Sequence, residues 1–324
     1  MAAPFPRAGW PAGARGRVVA APAKVNLFLE LLGKRSDGYH DLRTLVAPID
    51  LYDTLEIRPR DDDRIVLTCD APGIPTDDRN LVWKAADALR KANSIAAGAT
   101  IHLKKRIPHE AGLGGGSSDA AATLMALHTV WNSNLSLEAL ASIAAMIGSD
   151  VAAFLHDGPT WCTGRGEVAG PVASPIPLDL VIVKPPFGLS TAEVYRNAHL
   201  VEAPVDGGAI CAAIAAGDAV AVGRLMHNRL QPSAFALQPL MDWVYEALLA
   251  PEPLGAMLSG SGSCVFALAR NRPDALRIAR RTEMLLAPKI PDCRLFVVRT
   301  LVGNSDSYSR TTPEPSPSAM ECPR

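Results

Sequence analysis

The chain has 324 residues, a formal net charge of −1 and 48% apolar residues, enough for more than one hydrophobic core, so two domains are expected. Lys and Arg are scattered, which excludes the basic footprint of a nucleic-acid binder. Six widely spaced cysteines with no Cys-x-x-Cys, and seven histidines that do not cluster with them, suit a reducing cytosol and neither a disulfide framework nor a zinc site, and no apolar run is long enough for a membrane span.

Residues 1–16 are rich in Pro, Gly and Ala and lack an apolar signal core, so they read as a disordered extension. Residues 17–32 alternate, with a strand over 23–29 that puts Lys24 and Asn26 on one face and Val25, Leu27 and Leu29 on the other. By pattern alone, Lys24 is an exposed edge charge. Ser36-Asp37-Gly38-Tyr39-His40 is a turn, with Asp-Gly supplying left-handed positions. Strands follow at 41–50, 53–58 and 64–69, with the acidic run 61–63 as a solvated tip. A helix over 80–92 sets Leu81, Val82, Ala85, Ala86 and Leu89 on one side. A strand over 100–107 carries Lys105, which serves equally as a phosphate partner or as a solvent-facing strand residue.

Four glycines then fall within five positions (Gly112, Gly114, Gly115 and Gly116), followed by Ser117, Ser118 and an Ala-rich run. Glycines let backbone approach a ligand closely. Ser117 or Ser118 is expected to cap a helix over 119–127, and a helix N-terminus offers unpaired N–H groups to phosphate. No Lys-Ser or Lys-Thr closes the stretch, and Ser117 occupies the third Gly position of the dinucleotide fingerprint, so neither of those motifs applies.

Ser136 caps a helix that ends at Gly148, and Gly148-Ser149-Asp150-Val151 follows. An Asp there is often only a cap for the next helix. Residues 171–177 are a Pro-rich hinge taken as the domain boundary, and 178–184 is a short apolar strand. Ser190-Thr191-Ala192-Glu193 is a capping box. Helices are expected at 209–216, 219–228 and 237–249. A second glycine loop over 258–263 feeds a strand, and a last helix and strand occupy 273–287 and 293–301. From 304 the Ser-, Pro- and Thr-rich chain reads as a disordered tail.

Pro108-x-x-x-Gly112-Leu113-Gly114-Gly115-Gly116-Ser117-Ser118-Asp119-Ala120-Ala121 resembles the ATP-phosphate loop of the GHMP kinases. Pro22-Ala23-Lys24-Val25-Asn26-Leu27, Gly148-Ser149-Asp150-Val151 and the loop 258–263 match that family's other motifs in order, so the resemblance runs over about 18–302. Gly38-Tyr39-His40-x-Leu42-x-Thr44 is similar to the branch acting on a diphosphocytidyl sugar alcohol in the non-mevalonate isoprenoid route. The resemblance implies an α+β fold of two domains. Residues 17–170 would be similar to the second domain of ribosomal protein S5, and 171–303 would be ferredoxin-like.

The resemblance also implies an ATP-dependent kinase for a small-molecule alcohol. Lys24 and Asp150 would be catalytic. ATP would bind at Asn80, Lys105, Pro108, His109, Glu110, Ala111, Gly112, Leu113, Gly114, Gly115, Gly116, Ser117 and Ser118. The acceptor would meet Asn26, Tyr39, His40, Thr191 and Tyr195, with Tyr39 and His40 at the cytidine. Mg²⁺ would be held mainly by ATP phosphates, with no dedicated protein metal site, and the enzyme would be cytoplasmic, with neither nucleic acid nor membrane as partner. Another GHMP kinase of mevalonate or homoserine type, or a non-catalytic nucleotide-binding relative, stays open as an alternative. The sequence departs from the family at Ala152-Ala153-Phe154, where Pro-Phe-Phe is usual.

Overall fold

The computed structural model describes residues 16–303, and the two segments expected to be disordered lie outside them apart from Gly16. The chain forms two compact units. Of the described residues, the first comprises 16–23, Leu51–Ile107 and Gly114–His156, and the second Lys24–Asp50, Pro108–Leu113 and 157–303. Compactness therefore does not follow chain order as the expected boundary near residue 171 does, because two long strands contribute to both units. These are β1 (Arg17–Lys34) and β2 (His40–Arg60). β2 is one strand of 21 residues where two were expected.

In the first unit, β3 (Ile65–Cys69) precedes α1 (Leu81–Ala92) and β4 (Gly98–Lys104). β4 pairs antiparallel with β2 from Thr54↔Lys104 to Arg60↔Gly98 and parallel with β3. Val82, Ala85, Ala86 and Leu89 form the buried stripe of α1. β4 stops at Lys104, short of the expected 107, because the N–H groups of Arg106 and Ile107 donate to the Asp53 carboxylate instead of a ladder. α2 (Gly115–Val130) is buried almost all round between Ser118 and Leu127. Its alanines at 120–122 and 126 allow that, since small side chains let α1 and α3 (Leu137–Ile147) pack closely against it.

The second unit adds the hairpin β5 (Thr160–Thr163) and β6 (Val168–Pro171), with β5 paired to the first half of β2. Next come β7 (Asp179–Lys184), α4 (Thr191–Arg196) capped by Ser190, α5 (Gly208–Ala216) and α6 (Ala219–Leu225). The helix expected over 219–228 ends early, because β8 (His227–Asn228) pairs parallel with Phe28 and Leu29 of β1. α7 (Gln231–Leu237) was not expected, and Pro239 starts α8 (Leu240–Leu249) later than 237. β9 (Gly255–Leu258), β10 (Val265–Leu268), α9 (Arg272–Leu286) and β11 (Arg294–Arg299) complete the unit. An antiparallel sheet in the order β11-β7-β10-β9 packs against α8 and α9 around Val181, Val183, Val244, Leu248, Val265 and Ile278.

Glu30 on β1 is wholly buried and pins this unit. It accepts from Arg229 Nε and Nη2 at 2.7 Å each, from the Val205 N–H at 3.0 Å and the Leu31 N–H at 2.9 Å, and it meets His227 Nε2 at 3.1 Å. Burial alone would raise its pKa, but these hydrogen bonds and the nearby His227 outweigh it and hold the carboxyl at about 2.

Candidate functional site

In the first unit the glycine stretch ends in a helix start that lacks a side-chain cap. Gly114, in the left-handed region at φ 67°, is the N-cap residue, and it makes no side-chain cap bond to the first turn. The expected cap by Ser117 or Ser118 is therefore corrected: the helix begins at Gly115, four residues earlier than 119, and both serines lie inside its first turn. The Gly114 carbonyl already accepts from the Ser118 N–H at 2.9 Å. The N–H groups of Gly115, Gly116 and Ser117 precede any intrahelical bond, and with the helix dipole they favour an anion. Ser118 Oγ, on a residue 1% exposed, is buried and has no partner among the described residues.

Lys105 lies beside this turn. A Cβ on Gly115 would stand 3.3 Å from Lys105 Nζ, and a Cβ on Gly116 would stand 3.8 Å from Leu81 at the start of α1. Asn80 caps α1: its Oδ1 accepts from the Val82 N–H at 2.9 Å and its Nδ2 donates to the Pro75 carbonyl at 2.6 Å. Of the two readings left open for Lys105, solvent exposure is excluded. Its ammonium is largely buried and donates to Asp53 and, at 2.8 Å, to Asp119. Burial lowers its pKa, but the two carboxylates outweigh burial and raise it. Asp119 moves upward from the usual carboxylate range, through burial and the nearby Asp53 charge, despite Lys105. Asp150 is half-buried after α3, ahead of a single 3-10 turn at Ala152–Leu155. Ala152, Ala153 and Phe154 are all buried there, so the unusual pair of alanines is packed into the unit.

In the second unit, Lys24 is 3% exposed and Asn26 2%, so Lys24 is no exposed edge charge. Lys24 Nζ donates to Asn26 Oδ1 at 2.6 Å, Asn26 Nδ2 donates to Thr44 Oγ1 at 2.8 Å, and Thr44 Oγ1 donates to the Phe28 carbonyl at 2.6 Å. The Lys24 N–H donates to the Leu113 carbonyl at 2.9 Å, tying β1 to the stretch Pro108–Leu113. The second glycine loop closes on the same place. Ser259 Oγ donates to the Gly112 carbonyl at 2.9 Å and the Cys264 N–H to the Ala111 carbonyl at 3.1 Å. A Cβ on Gly260 would lie 3.2 Å from Asn26 Oδ1 and 3.3 Å from Lys24 Nζ. Thr191 joins through a 2.8 Å hydrogen bond between its Oγ1 and Ser261 Oγ. Pro108 is half-buried, and His109 and Glu110 are exposed, with Glu110 at φ 51°.

Tyr39 is 52% exposed, with the Arg165 guanidinium 4.7 Å from its ring centre. His40 and Tyr195 bring their rings to 5.6 Å. Burial, helped by the Lys34 charge, lowers the His40 pKa, which favours a neutral ring offering one donor and one acceptor. Sequence reasoning missed the parts of Asp53, Asp119 and Asn228, whose Nδ2 donates to the Leu258 and Gly260 carbonyls at 2.9 and 2.8 Å. Burial and pairing across distant segments define these residues, and of the three Asp119, inside the glycine-loop motif, carried a sequence signal.

The patterns of the GHMP kinases N terminal domain and the GHMP kinases C terminal region match residues 80–158 and 210–282. The 4-diphosphocytidyl-2-C-methyl-D-erythritol kinase of Pelotomaculum thermopropionicum is 43% identical over 263 residues, covering 81% of this chain and 92% of that protein. The enzyme of the same name from Shouchella clausii is 40% identical over 261 residues, covering 80% and 88%. A crystal structure of 4-(cytidine 5'-diphospho)-2C-methyl-D-erythritol kinase superposes with a TM-score of 0.73 at 33% identity, covering 88% of this chain and 100% of the other. The homoserine kinase of Cytophaga hutchinsonii superposes with a TM-score of 0.72 at 20% identity, over 91% and 98%, a likeness of fold alone.

Proposed function

The chain belongs to the GHMP kinase family, and from that premise we infer that it transfers the γ-phosphoryl group of ATP to the 2-hydroxyl of 4-diphosphocytidyl-2-C-methyl-D-erythritol. The product is the 2-phosphate, a precursor on the isoprenoid route to isopentenyl diphosphate. The observation that carries the choice of acceptor is the Gly38-Tyr39-His40 turn, which offers an exposed aromatic face beside a His40–Tyr195 ring pair. A cytosine can stack on such a face and bond a neutral imidazole.

ATP fits the first turn of α2, where three N–H groups lack intrahelical partners and Ser118 Oγ lacks any among the described residues. Gly114, Gly115, Gly116, Ser117 and Ser118 would take its phosphates, with Lys105 beside them and Asn80 near the nucleotide. Pro108–Leu113 would shape the approach. Mg²⁺, bound mainly through phosphate oxygens and water, would supply charge neutralisation on the polyphosphate.

The acceptor hydroxyl is tertiary, a poor acid and a crowded nucleophile. Asp150 accepts its proton as general base. Lys24, prepositioned by Asn26, balances charge developing on the transferred group. Asn26, Thr191 and Tyr195 orient the acceptor. We assign residues 17–170 and 171–303 to the two family domains and place the reaction in the cytoplasm. Among the described residues, no helix is long and apolar enough to cross a membrane. The test is a product assay with ATP and the diphosphocytidyl alcohol, run beside mevalonate and homoserine. Turnover of either rival in preference, or of none, overturns the reading.

A further inference from the structure

Three consecutive N–H groups leaving β4 are held by carboxylates and not by a strand ladder. The Lys105 N–H donates to Asp70 Oδ1 at 2.9 Å, and those of Arg106 and Ile107 donate to Asp53 Oδ1 at 2.5 and 2.9 Å. The Lys105 side chain is fixed as well, with Asp53 Oδ2 and Asp119 Oδ2 each taking its ammonium. A lysine is among the most mobile side chains, yet this one is held at both backbone and tip. Its Nζ lies beside Gly115, whose N–H opens α2.

A structural ion pair needs one carboxylate, and Asp53 supplies it. The second, Asp119, is 2% exposed and satisfied on one oxygen only: its Oδ1, like the neighbouring Ser118 Oγ, has no partner among the described residues. A half-paired buried carboxylate is unfavourable for folding, so its presence in the second turn of the phosphate-facing helix calls for another use.

We propose that Asp53 and Asp119 are positioning residues for nucleotide binding, which hold the Lys105 ammonium beside the first turn of α2 so that a polyphosphate meets a fixed cation. The proposal rests on the reading of that turn as the phosphate site. Asp53 sets the height of Lys105 through the backbone of 106 and 107, and Asp119 sets its direction from the helix side. An ammonium has three protons, and two are spent on these carboxylates, leaving one for an anion. Preordering removes most of the rotamer entropy that a free lysine would lose on binding.

The test is a cycle of Asp119→Leu, Lys105→Met and their double variant, with Asp119→Asn as the conservative partner, measured by calorimetric titration with ATP·Mg and separately with the diphosphocytidyl acceptor. Asp119→Leu removes the acceptor at similar volume. It should weaken ATP about tenfold, the worth of one charge-assisted hydrogen bond, and leave acceptor affinity in place, which also shows that the variant is folded. Asp119→Asn keeps an acceptor oxygen for Lys105 and should restore most of the loss. In the Lys105→Met background, Asp119→Leu should add nothing. Unchanged ATP affinity in folded Asp119→Leu, a loss that persists without Lys105, or an Asn as poor as Leu overturns the positioning role. Gly115→Val separates this from the underlying reading: if it and Lys105→Met both leave ATP affinity intact in folded protein, the phosphate site itself is elsewhere.

Discussion

Two glycines of the same motif, four positions apart, should respond to alanine with opposite signs. Gly112 has φ +72°, and a Cβ there would sit 2.0 Å from the Ser259 carbonyl oxygen, 3.0 Å from its carbon and 3.1 Å from the Gly262 nitrogen. All three are backbone atoms, so no side-chain rotation relieves the overlap. The left-handed conformation alone costs an L-residue about 1–2 kcal/mol. Moving the second glycine loop away also strains the bonds from Ser259 Oγ to the Gly112 carbonyl and from the Cys264 N–H to the Ala111 carbonyl, each worth about 1 kcal/mol. Gly112→Ala should therefore destabilise the protein by about 3–4 kcal/mol. Gly116 lies inside α2, and its Cβ would meet only Leu81 Cδ1, at an ordinary 3.8 Å. Gly116→Ala should then gain about 0.5–1 kcal/mol of helix stability. Thermal melting without nucleotide, with circular dichroism as the readout, gives both values against the parent protein. A Gly112→Ala melt that matches the parent, or a Gly116→Ala protein as weakened as Gly112→Ala, refutes the argument that the two glycines are needed for different reasons.

Three other outcomes are expected. Asp150→Asn, which keeps shape and loses basicity, should lower single-turnover phosphoryl transfer by roughly 10²–10⁴-fold with little change in ATP or acceptor affinity; near-normal transfer would remove Asp150 from the chemistry. Tyr39→Ala should weaken the diphosphocytidyl acceptor by about 1–3 kcal/mol, as loss of a base–aromatic stack does, and spare ATP; equal loss of both ligands would make Tyr39 a structural residue. Glu30, held at about 2 against an ordinary 4.5, binds fewer protons folded than unfolded through that range, so its contribution is present above pH 4.5 and is lost as pH falls toward 2, on the order of 3 kcal/mol in full. Glu30→Gln should flatten the acid limb of a melting-temperature profile between pH 5 and 2; parallel profiles for the two proteins would contradict the linkage.

The family and the fold class were legible in the sequence because the features that carry them are local. A dense glycine run, a helix-ending Gly before Asp150 and a Pro-Ala-Lys-Val-Asn strand each impose a backbone path with near neighbours alone, and the helix caps Ser136 and Ser190 stand where their hydrogen bonds require. Alternation also set the two faces of β1. Boundaries were less legible wherever a distant partner took over a backbone group: Asp53 ends β4, β8 ends the helix before it, and Gly114, not a serine, opens α2.

Charge state and burial were decided by tertiary structure. Lys24 and Lys105 both read as surface lysines from their strand positions, and both are buried: Lys24 bonds Asn26 two residues along its own strand, which Thr44 of β2 holds in turn, and Lys105 bonds Asp53 and Asp119 from distant segments. A strand pattern tells which residues share a face but not whether that face meets water. That depends on which other segments cover it, and a lysine is buried only where the fold supplies acceptors for its ammonium. The residues of one stretch determined what the backbone could do here, and the packing of remote stretches determined which of its charged groups are held fixed and which are left to solvent.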